Sequence, residues 1–297
     1  MLDFKKITLD DKEWVDKLLK QSDFMGSEYC FANMMAWSRY SDSKICRYKD
    51  FVITVSEKHG LVFTFPAGSG DYSDVLSQMQ EYALCKGQEL VIWNADDRRI
   101  KVIRETFSDD NIHIKQDEGQ YDYIYLAEDL AEYKGRKYHS KKNHTNNFRK
   151  YNWSFENITY DNIDDCISFC TDDYNLNHRY ASESGVAEQF AIHTYFMNYA
   201  DLGLCGGILR VDKDIAAISI GEKVNSDTLV VHIEKASPEF TGSYPAMCTE
   251  FVRHFSDGCR YINREEDMGI EGLRKSKRSY NPVMMLKKDI VTINSKK

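Results

Sequence analysis

Two alternating residues near the end of a predicted strand, His232 and Glu234, have side chains suited to proton transfer. Side chains two positions apart on a strand point to the same face, so we expect both to line one surface. There the imidazole could act as a base and the carboxylate could orient it. The same pattern is typical of a cross-strand polar pair or of a salt bridge to a basic side chain, and both interpretations stay open.

A second group of ionisable residues follows the predicted short strand at Tyr261 and Ile262. Glu265, Glu266 and Asp267 leave this strand in succession and could place one carboxylate in a cleft. An ion-pair network with basic residues further along the chain is the alternative: Arg274, Lys275, Lys277 and Arg278. The pattern therefore predicts either a catalytic carboxylate, with Glu265 and Asp267 as candidates, or a structural network.

The sharpest charge anomaly is segment 134–150, KGRKYHSKKNHTNNFRK, which has seven Lys or Arg residues and no Asp or Glu. We predict a helix here, because His139, Lys142 and Asn146 recur three and four residues apart. A solvated cationic surface is one interpretation. The other is a binding face for a phosphate-rich ligand, either tRNA or the phosphates of a nucleotide-bearing donor.

Two glycine-containing loops precede predicted helices, where backbone N–H groups can bind phosphate. Gly242 lies before a helix that is predicted to begin near Pro245. Residues 68–70, Gly-Ser-Gly, lie before another helix, but Asp71 and Asp74 would repel a phosphate there. A plain turn with an Asp cap is the favoured interpretation of the second loop.

The eight cysteines are scattered, with no Cys-x-x-Cys pair and no histidine at zinc spacing. We predict that they are reduced and that the protein has no metal site. Cys166 and Cys170 lie one helical turn apart and could share a metal ion, but buried thiols on an apolar helix face are the favoured interpretation.

Composition narrows the class of protein. A chain of 297 residues exceeds what one hydrophobic core usually serves, so we expect two domains, at 1–150 and 151–297. The net charge of -8 argues against unspecific coating of nucleic acid or anionic membrane, although local basic patches are compatible with it. No stretch approaches about 18 consecutive apolar residues, and the first residues are too charged for a signal peptide. We therefore expect a cytoplasmic protein that does not insert into a membrane.

The predicted elements recur in the same order in both halves of the chain. In the N-terminal half, two helices precede a hairpin of strands 51–55 and 61–65, and a helix, a strand, a helix and a strand near Leu126 follow. In the C-terminal half, two helices precede strands 204–210, 215–222 and 228–235, a helix at 245–255, a strand at 261–262 and a last strand at 282–287. Such repetition predicts two diverged copies of one α/β domain, each a mixed sheet flanked by helices.

Three stretches carry a resemblance to a known family: GRKYHSKKNH at 135–144, HIEK at 232–235 and YINREEDMGIEGLRKSK at 261–277. Together they resemble a bacterial family similar to the C-terminal, cytoplasmic domain of phosphatidylglycerol lysyltransferases. The fold that this implies is a tandem pair of acetyltransferase-like domains, the GNAT or acyl-CoA N-acyltransferase fold. It is related to that of the peptidoglycan bridge-forming aminoacyltransferases.

The resemblance implies a transferase that moves an acyl or aminoacyl group from a thioester or a tRNA ester to an amine or hydroxyl. Charged tRNA is a candidate donor. The sequence lacks the membrane-spanning portion of the lipid-modifying relatives, so we expect a soluble acceptor, a small molecule or a peptide. Two alternatives stay open: a non-catalytic tandem domain that binds an anionic ligand, and an acyl-CoA-dependent N-acyltransferase.

In acetyltransferase-like folds the central sheet splays, and the donor's pyrophosphate lies at the N-terminus of the next helix. The matching loop, residues 239–244, departs from that pattern because it begins with an acid and ends with a tyrosine, and Pro245 removes an N–H donor. We expect coenzyme A to bind weakly or not at all, and we predict no other cofactor. The candidate catalytic residues are His232, Glu234, Glu265 and Asp267. The candidates for substrate or donor binding are Arg136, Lys137, Lys141, Lys142, His144, Lys235, Gly242, Ser243, Tyr244, Asn263, Arg264, Arg274 and Lys277.

Overall fold

The computed structural model describes residues 2–178 and 181–294. They form two compact units. Of the described residues, the first unit takes in 2–122, 266–271 and 285–294, and the second takes in 123–265 and 272–284. The expected division near residue 150 differs from this arrangement, because 123–150 belong to the second unit and the last strand of the chain belongs to the first.

The first unit is built on a mixed sheet flanked by helices. Its strands are β1 (Lys5–Lys6), β2 (Ser43–Tyr48), β3 (Phe51–Ser56), β4 (Val62–Thr64), β5 (Ala67–Gly68), β6 (Leu90–Ala95), β7 (Ile112–Lys115) and β15 (Asp289–Ile293). Its helices are α1 (Lys12–Ser22), α2 (Phe31–Ser41), α3 (Tyr72–Cys85) and α4 (Asp97–Thr106). The strand order is β1-β2-β3-β4-β6-β15-β7, with β5 on β3. Of the pairings in this sheet, that of β4 with β6 is parallel and makes the sheet mixed.

Local sequence explains most of these elements. The predicted hairpin forms, since β3 pairs with β4 in antiparallel fashion. The prediction missed β2, because Lys44 and Arg47 interrupt its apolar residues, yet β2 pairs with β3 along its whole length. Asp71 caps α3 by accepting hydrogen bonds from the N–H groups of Ser73 and Asp74, which confirms the plain turn at residues 68–70.

The second unit repeats the mixed sheet with its helices. The strands of this second sheet are β8 (Asp122–Leu126), β9 (Trp153–Asn157), β10 (Cys205–Val211), β11 (Asp214–Lys223), β12 (Thr228–Ala236), β13 (Tyr261–Asn263) and β14 (Met284–Leu286). Its helices are α5 (Ala127–Glu132), α6 (His139–Phe148), α7 (Ile163–Leu176), α8 (Glu183–Met197), α9 (Tyr199–Leu202), α10 (Ser243–Phe255) and α11 (Glu271–Arg278). The order is β14-β8-β13-β12-β11-β10-β9. The predicted helices and strands of the C-terminal half are confirmed, and the basic segment forms α6.

The described cysteines are free, and Cys166 and Cys170 are buried on α7, where burial raises the pKa of Cys166 to about 12. Within residues 2–178 and 181–294, the helices are all too short or too polar to span a bilayer.

Candidate functional site

The centre of the second sheet opens between β12 and β13. These strands pair in parallel from Thr228 with Tyr261 to Val230 with Asn263. β13 ends there, whereas β12 continues to Ala236. Side chains on the last part of β12 therefore face the residues that follow β13 across a gap.

Glu234 and Arg264 meet across this gap. Nη2 of Arg264 donates to Oε1 of Glu234 over 2.7 Å, and both side chains are largely buried. Burial raises the pKa of Glu234, although the neighbouring cations Arg264, Lys141 and Lys277 partly offset this. Nη1 of Arg264 is buried and has no hydrogen-bond partner among the described residues. The guanidinium thus binds one carboxylate through Nη2 and leaves Nη1 as a buried donor without a hydrogen bond of good geometry to any described residue.

Lys141 of α6 turns inward toward the same place. Its Nζ lies 3.5 Å from the centre of the Tyr280 ring, and the guanidinium carbon of Arg264 lies 4.4 Å from the centre of that ring. Burial and the charge of Arg264 lower the pKa of Lys141 to about 8. Nζ of Lys277 donates to the backbone oxygen of Arg264 over 2.6 Å. Three cations therefore surround a single carboxylate, that of Glu234.

His232 is held between two other carboxylates. Nδ1 lies 2.8 Å from Oε1 of Glu265, and Nε2 lies 3.1 Å from Oε1 of Glu222. The ring stacks on Tyr195 of α8, with centres 5.3 Å apart. Burial by itself lowers the pKa of His232, but the two carboxylates raise it to about 9. An imidazolium that donates from both nitrogens has no lone pair for another proton, so the expected role of base does not fit His232.

A β-bulge separates His232 from Glu234. The register of β11 against β12 shifts between Ile220 and Gly221, and His232 is the extra residue on β12. The bulge breaks the alternation on which the sequence prediction relied. His232 consequently faces its carboxylates and α8, while Glu234 faces Arg264. The expectation that His232 and Glu234 line one surface is therefore wrong.

The carboxylates after β13 have different surroundings. Glu265 adopts a left-handed backbone conformation with φ of 56°, and its N–H donates to Oδ1 of Asn263 over 2.7 Å. This turn brings Glu265 to His232. Asp267 belongs to the first unit, is buried, and accepts a 2.8 Å hydrogen bond from the N–H of Gly269. The structure therefore brings Glu265 to His232 and uses Asp267 in a turn of the first unit.

Acids outside the basic segment neutralise part of its charge. Lys134 pairs with Glu132, Lys137 with Asp129 at 2.9 Å, and Arg149 with Glu250 at 3.1 Å. The expectation of seven unneutralised cations is therefore corrected. Arg136, Lys142 and His144 are exposed, and the first two have no carboxylate partner in the described part of the chain.

The loop before α10 is crowded. Gly242 has φ of 90°, and a Cβ atom there would collide with the backbone oxygen of His144 in α6. The N–H of buried Ser243 already donates to the oxygen of Phe240 over 3.1 Å. Pro245 has no N–H, and Tyr244 is partly exposed. This helix start therefore offers few N–H groups to a pyrophosphate.

The remaining binding candidates lie on α11 and on the opposite face of β12. Lys235, next to Glu234, pairs with Glu188 of α8 at 2.9 Å and with Asp173 of α7 at 3.5 Å. Neighbouring residues of a strand point to opposite faces, so Lys235 lies away from Glu234. Arg274 is half-buried on α11, as is Lys277.

Sequence reasoning missed several residues of the site: Glu222, Tyr195, Cys248 and Tyr280. The ring of Tyr280 contacts both Lys141 and Arg264. Nothing in the sequence around this tyrosine, which follows a basic helix, indicates those contacts. Cys248 of α10 lies near Glu234, and burial raises its pKa to about 11. Only the packing of distant elements identifies these residues.

A separate buried polar cluster lies in the first unit. Nζ of Lys288 lies 2.6 Å from Oδ1 of Asp122 and 2.8 Å from Oε2 of Glu28. Burial lowers the pKa of Lys288, but these two acids more than offset it and hold the pKa above its usual range. Asn94 donates to Oε1 of Glu28 over 2.6 Å. The cluster is charge-paired and hydrogen-bonded, as a structural core network requires.

Residues 19–290 match the family described as phosphatidylglycerol lysyltransferase, C-terminal. A conserved protein of unknown function from Bacteroides thetaiotaomicron is 32% identical, with a TM-score of 0.95 over 99% of this chain and 100% of that one. The C-terminal domain of a putative lysylphosphatidylglycerol synthetase from Agrobacterium fabrum is 13% identical, with a TM-score of 0.68 over 96% of this chain and 92% of that one. A tandem GNAT protein from the clavulanic acid biosynthesis pathway is 10% identical, with a TM-score of 0.52 over 100% of both chains. No curated protein matches the sequence. The predicted fold class, mixed α/β with GNAT-like sheets, is confirmed.

Proposed function

Since the chain belongs to the phosphatidylglycerol lysyltransferase C-terminal family, we propose that it transfers an aminoacyl group from a charged tRNA to a hydroxyl or amine acceptor. The reaction takes place in the second unit, in the gap between β12 and the residues that follow β13.

One observation carries the proposal: the buried Glu234–Arg264 pair leaves Nη1 of Arg264 without a partner among the described residues. Attack on an aminoacyl ester creates negative charge on the carbonyl oxygen. A fixed, water-excluded N–H donor stabilises such an oxyanion without reorganisation. Glu234 holds the guanidinium in place, and the His232–Glu265 contact fixes the segment that carries Arg264.

The surface of α6 supports tRNA as the donor. Lys141 points into the site while its neighbour Lys142 is exposed, so one helix joins the buried cations to an exposed cationic face. Exposed Arg136 extends this face, which suits the phosphates of a nucleic acid. A net charge of -8 confines such binding to places where cations are concentrated.

The start of α10 disfavours acyl-CoA as the donor. In that position a pyrophosphate needs free N–H groups at the helix N-terminus. Here the N–H of Ser243 is already bonded, Pro245 lacks one, and the backbone of α6 lies against Gly242.

The test is a transfer assay with a panel of aminoacyl-tRNAs and two classes of acceptor: phosphatidylglycerol vesicles, and soluble amines and hydroxyl compounds. Mass spectrometry identifies any aminoacylated product, and release of uncharged tRNA gives the rate. We expect transfer from at least one aminoacyl-tRNA. Tight tRNA binding without transfer to either class would favour a non-catalytic binding module, and turnover with acetyl-CoA would overturn the choice of donor.

A further inference from the structure

The proposed transfer needs a group that takes a proton from the acceptor. A hydroxyl or a neutral amine that attacks an ester must lose a proton as the new bond forms, and a positioned base speeds this step. His232 is an imidazolium bonded to two carboxylates. Glu234 is engaged by Arg264, and the raised pKa of Cys248 keeps its thiol protonated. These three residues are therefore poor bases.

Lys141 lies close to Arg264, the residue proposed to stabilise the oxyanion. Its Nζ is 3.5 Å from the centre of the Tyr280 ring. The guanidinium of Arg264 contacts the same ring. The cations of the segment that have acid partners point elsewhere, as Lys137 and Arg149 do. Lys141 is half-buried, and no carboxylate lies within ion-pair distance of it among the described residues.

On this basis, which rests on the proposed function, we propose that the neutral amine of Lys141 is the catalytic base of the transfer. The acceptor's O–H or N–H proton moves to Nζ while the acceptor atom bonds to the ester carbonyl carbon, and Arg264 stabilises the oxyanion. When the bond from that carbon to the ribose oxygen breaks, the Lys141 ammonium returns the proton to the leaving oxygen. The amine is then neutral again, and no further reactant is needed.

The surroundings of Lys141 make its neutral form easier to reach than that of an exposed lysine. The groups that face it are Arg264 after β13, Glu234 of β12, Cys248 of α10 and the Tyr280 ring. Burial and the positive charge of Arg264 lower its pKa to about 8, while Glu234 and Cys248 oppose this. A base works best when its pKa lies near the working pH. An ordinary exposed lysine, with a pKa of about 10.4, would be almost fully protonated there.

Arginine and glutamine substitutions separate a base from a cation that binds an anion. Lys141→Arg keeps the charge but cannot lose its proton. We expect it to lower single-turnover transfer by about 10²-fold or more and to abolish the rise in rate through about pH 8. If Lys141 only binds an anion, Lys141→Arg will retain the rate and its pH profile, and Lys141→Gln alone will be impaired. That result would overturn the proposal. Lys213→Arg, at an exposed turn between β10 and β11, is the matched control.

A second measurement does not depend on transfer. In protein labelled with ¹³C at the lysine Cε, we expect one resonance to titrate near pH 8 and to be missing from the Lys141→Arg and Lys141→Gln spectra. Titration of all lysines near their usual pKa of about 10.4 would overturn the proposal even if Lys141→Arg folds poorly. Failure of the wild-type protein to transfer from any aminoacyl-tRNA would overturn the proposed function together with this inference. Normal transfer by Lys141→Arg would overturn the inference alone.

Discussion

Nη2 of Arg264 donates a 2.7 Å hydrogen bond to Oε1 of Glu234, and this bond crosses the gap that opens where β13 ends. It joins an acid on β12 to a cation just after β13.

Arg264→Lys should slow transfer by about 10²- to 10³-fold, because an ammonium cannot both hold Glu234 and present the second N–H donor to an oxyanion. Single-turnover rates with saturating aminoacyl-tRNA measure this effect. Arg253→Lys changes an exposed arginine that pairs with Glu250 on α10 and should leave the rate unaltered. Equal transfer rates for wild type and Arg264→Lys would show that Arg264 does not stabilise the oxyanion.

His232 should make stability depend on pH. Its pKa is raised from 6.5 to about 9 in the folded protein, so its stabilising effect is fully present below about pH 6.5 and is lost as pH rises through about 9. We expect His232→Gln to cost on the order of 3 kcal/mol at pH 6 and much less at pH 9.5. Urea denaturation across this range measures the difference. A difference that stays constant with pH would contradict the raised pKa, and exposed His113→Gln should have no effect.

The double variant Arg136→Glu with Lys142→Glu should weaken tRNA binding without lowering stability, because both side chains are exposed and lack acid partners in the described residues. Loss of two phosphate contacts should make the log-log salt dependence of affinity less steep by about 1.4 to 1.8. Titrations between low and physiological salt measure this slope. Lys213→Glu is the charge-matched control, and an unchanged slope in the double variant would mean that the cationic face is merely solvated.

Gly242→Ala should destabilise the second unit by about 2 kcal/mol, because φ of 90° strains an alanine and its Cβ would meet the backbone oxygen of His144. Thermal unfolding measures the loss. Gly272→Ala, a glycine of α11 around which no atom lies within 4 Å of an added Cβ, should be neutral or slightly stabilising. Similar melting temperatures for the two variants would contradict the close approach of α6 to Gly242.

Two adjacent lysines give a further comparison. Lys288→Met should cost about 3 to 5 kcal/mol, because it leaves Glu28 and Asp122 buried without their cation. Lys287→Met breaks an exposed pair with Asp97 and should cost about 1 kcal/mol or less. Chemical denaturation distinguishes them, and equal costs would mean that the cluster is more hydrated than the structure indicates.

The sequence by itself determined the class of fold and most of the elements, although it did not indicate β2. Apolar periodicity predicted the helices and the three long strands β10 to β12, because their burial patterns follow from local spacing. The spacing of polar residues in segment 134–150 predicted α6, and the charge of the segment predicted its cationic character. The order of residues at 261–277 indicated the family, which the matches at residues 19–290 bear out.

Only the tertiary structure decided which residues meet. The bulge at His232 depends on the register between β11 and β12, a property of the pair of strands, so alternation along β12 alone could not predict it. The partners of Lys134, Lys137 and Arg149 come from outside their segment, which is why its charge was overestimated. Lys141 looks like its neighbours in sequence. Its contact with Tyr280, and the burial and nearby charge of Arg264 that lower its pKa, exist because elements more than 100 residues apart in the chain pack together.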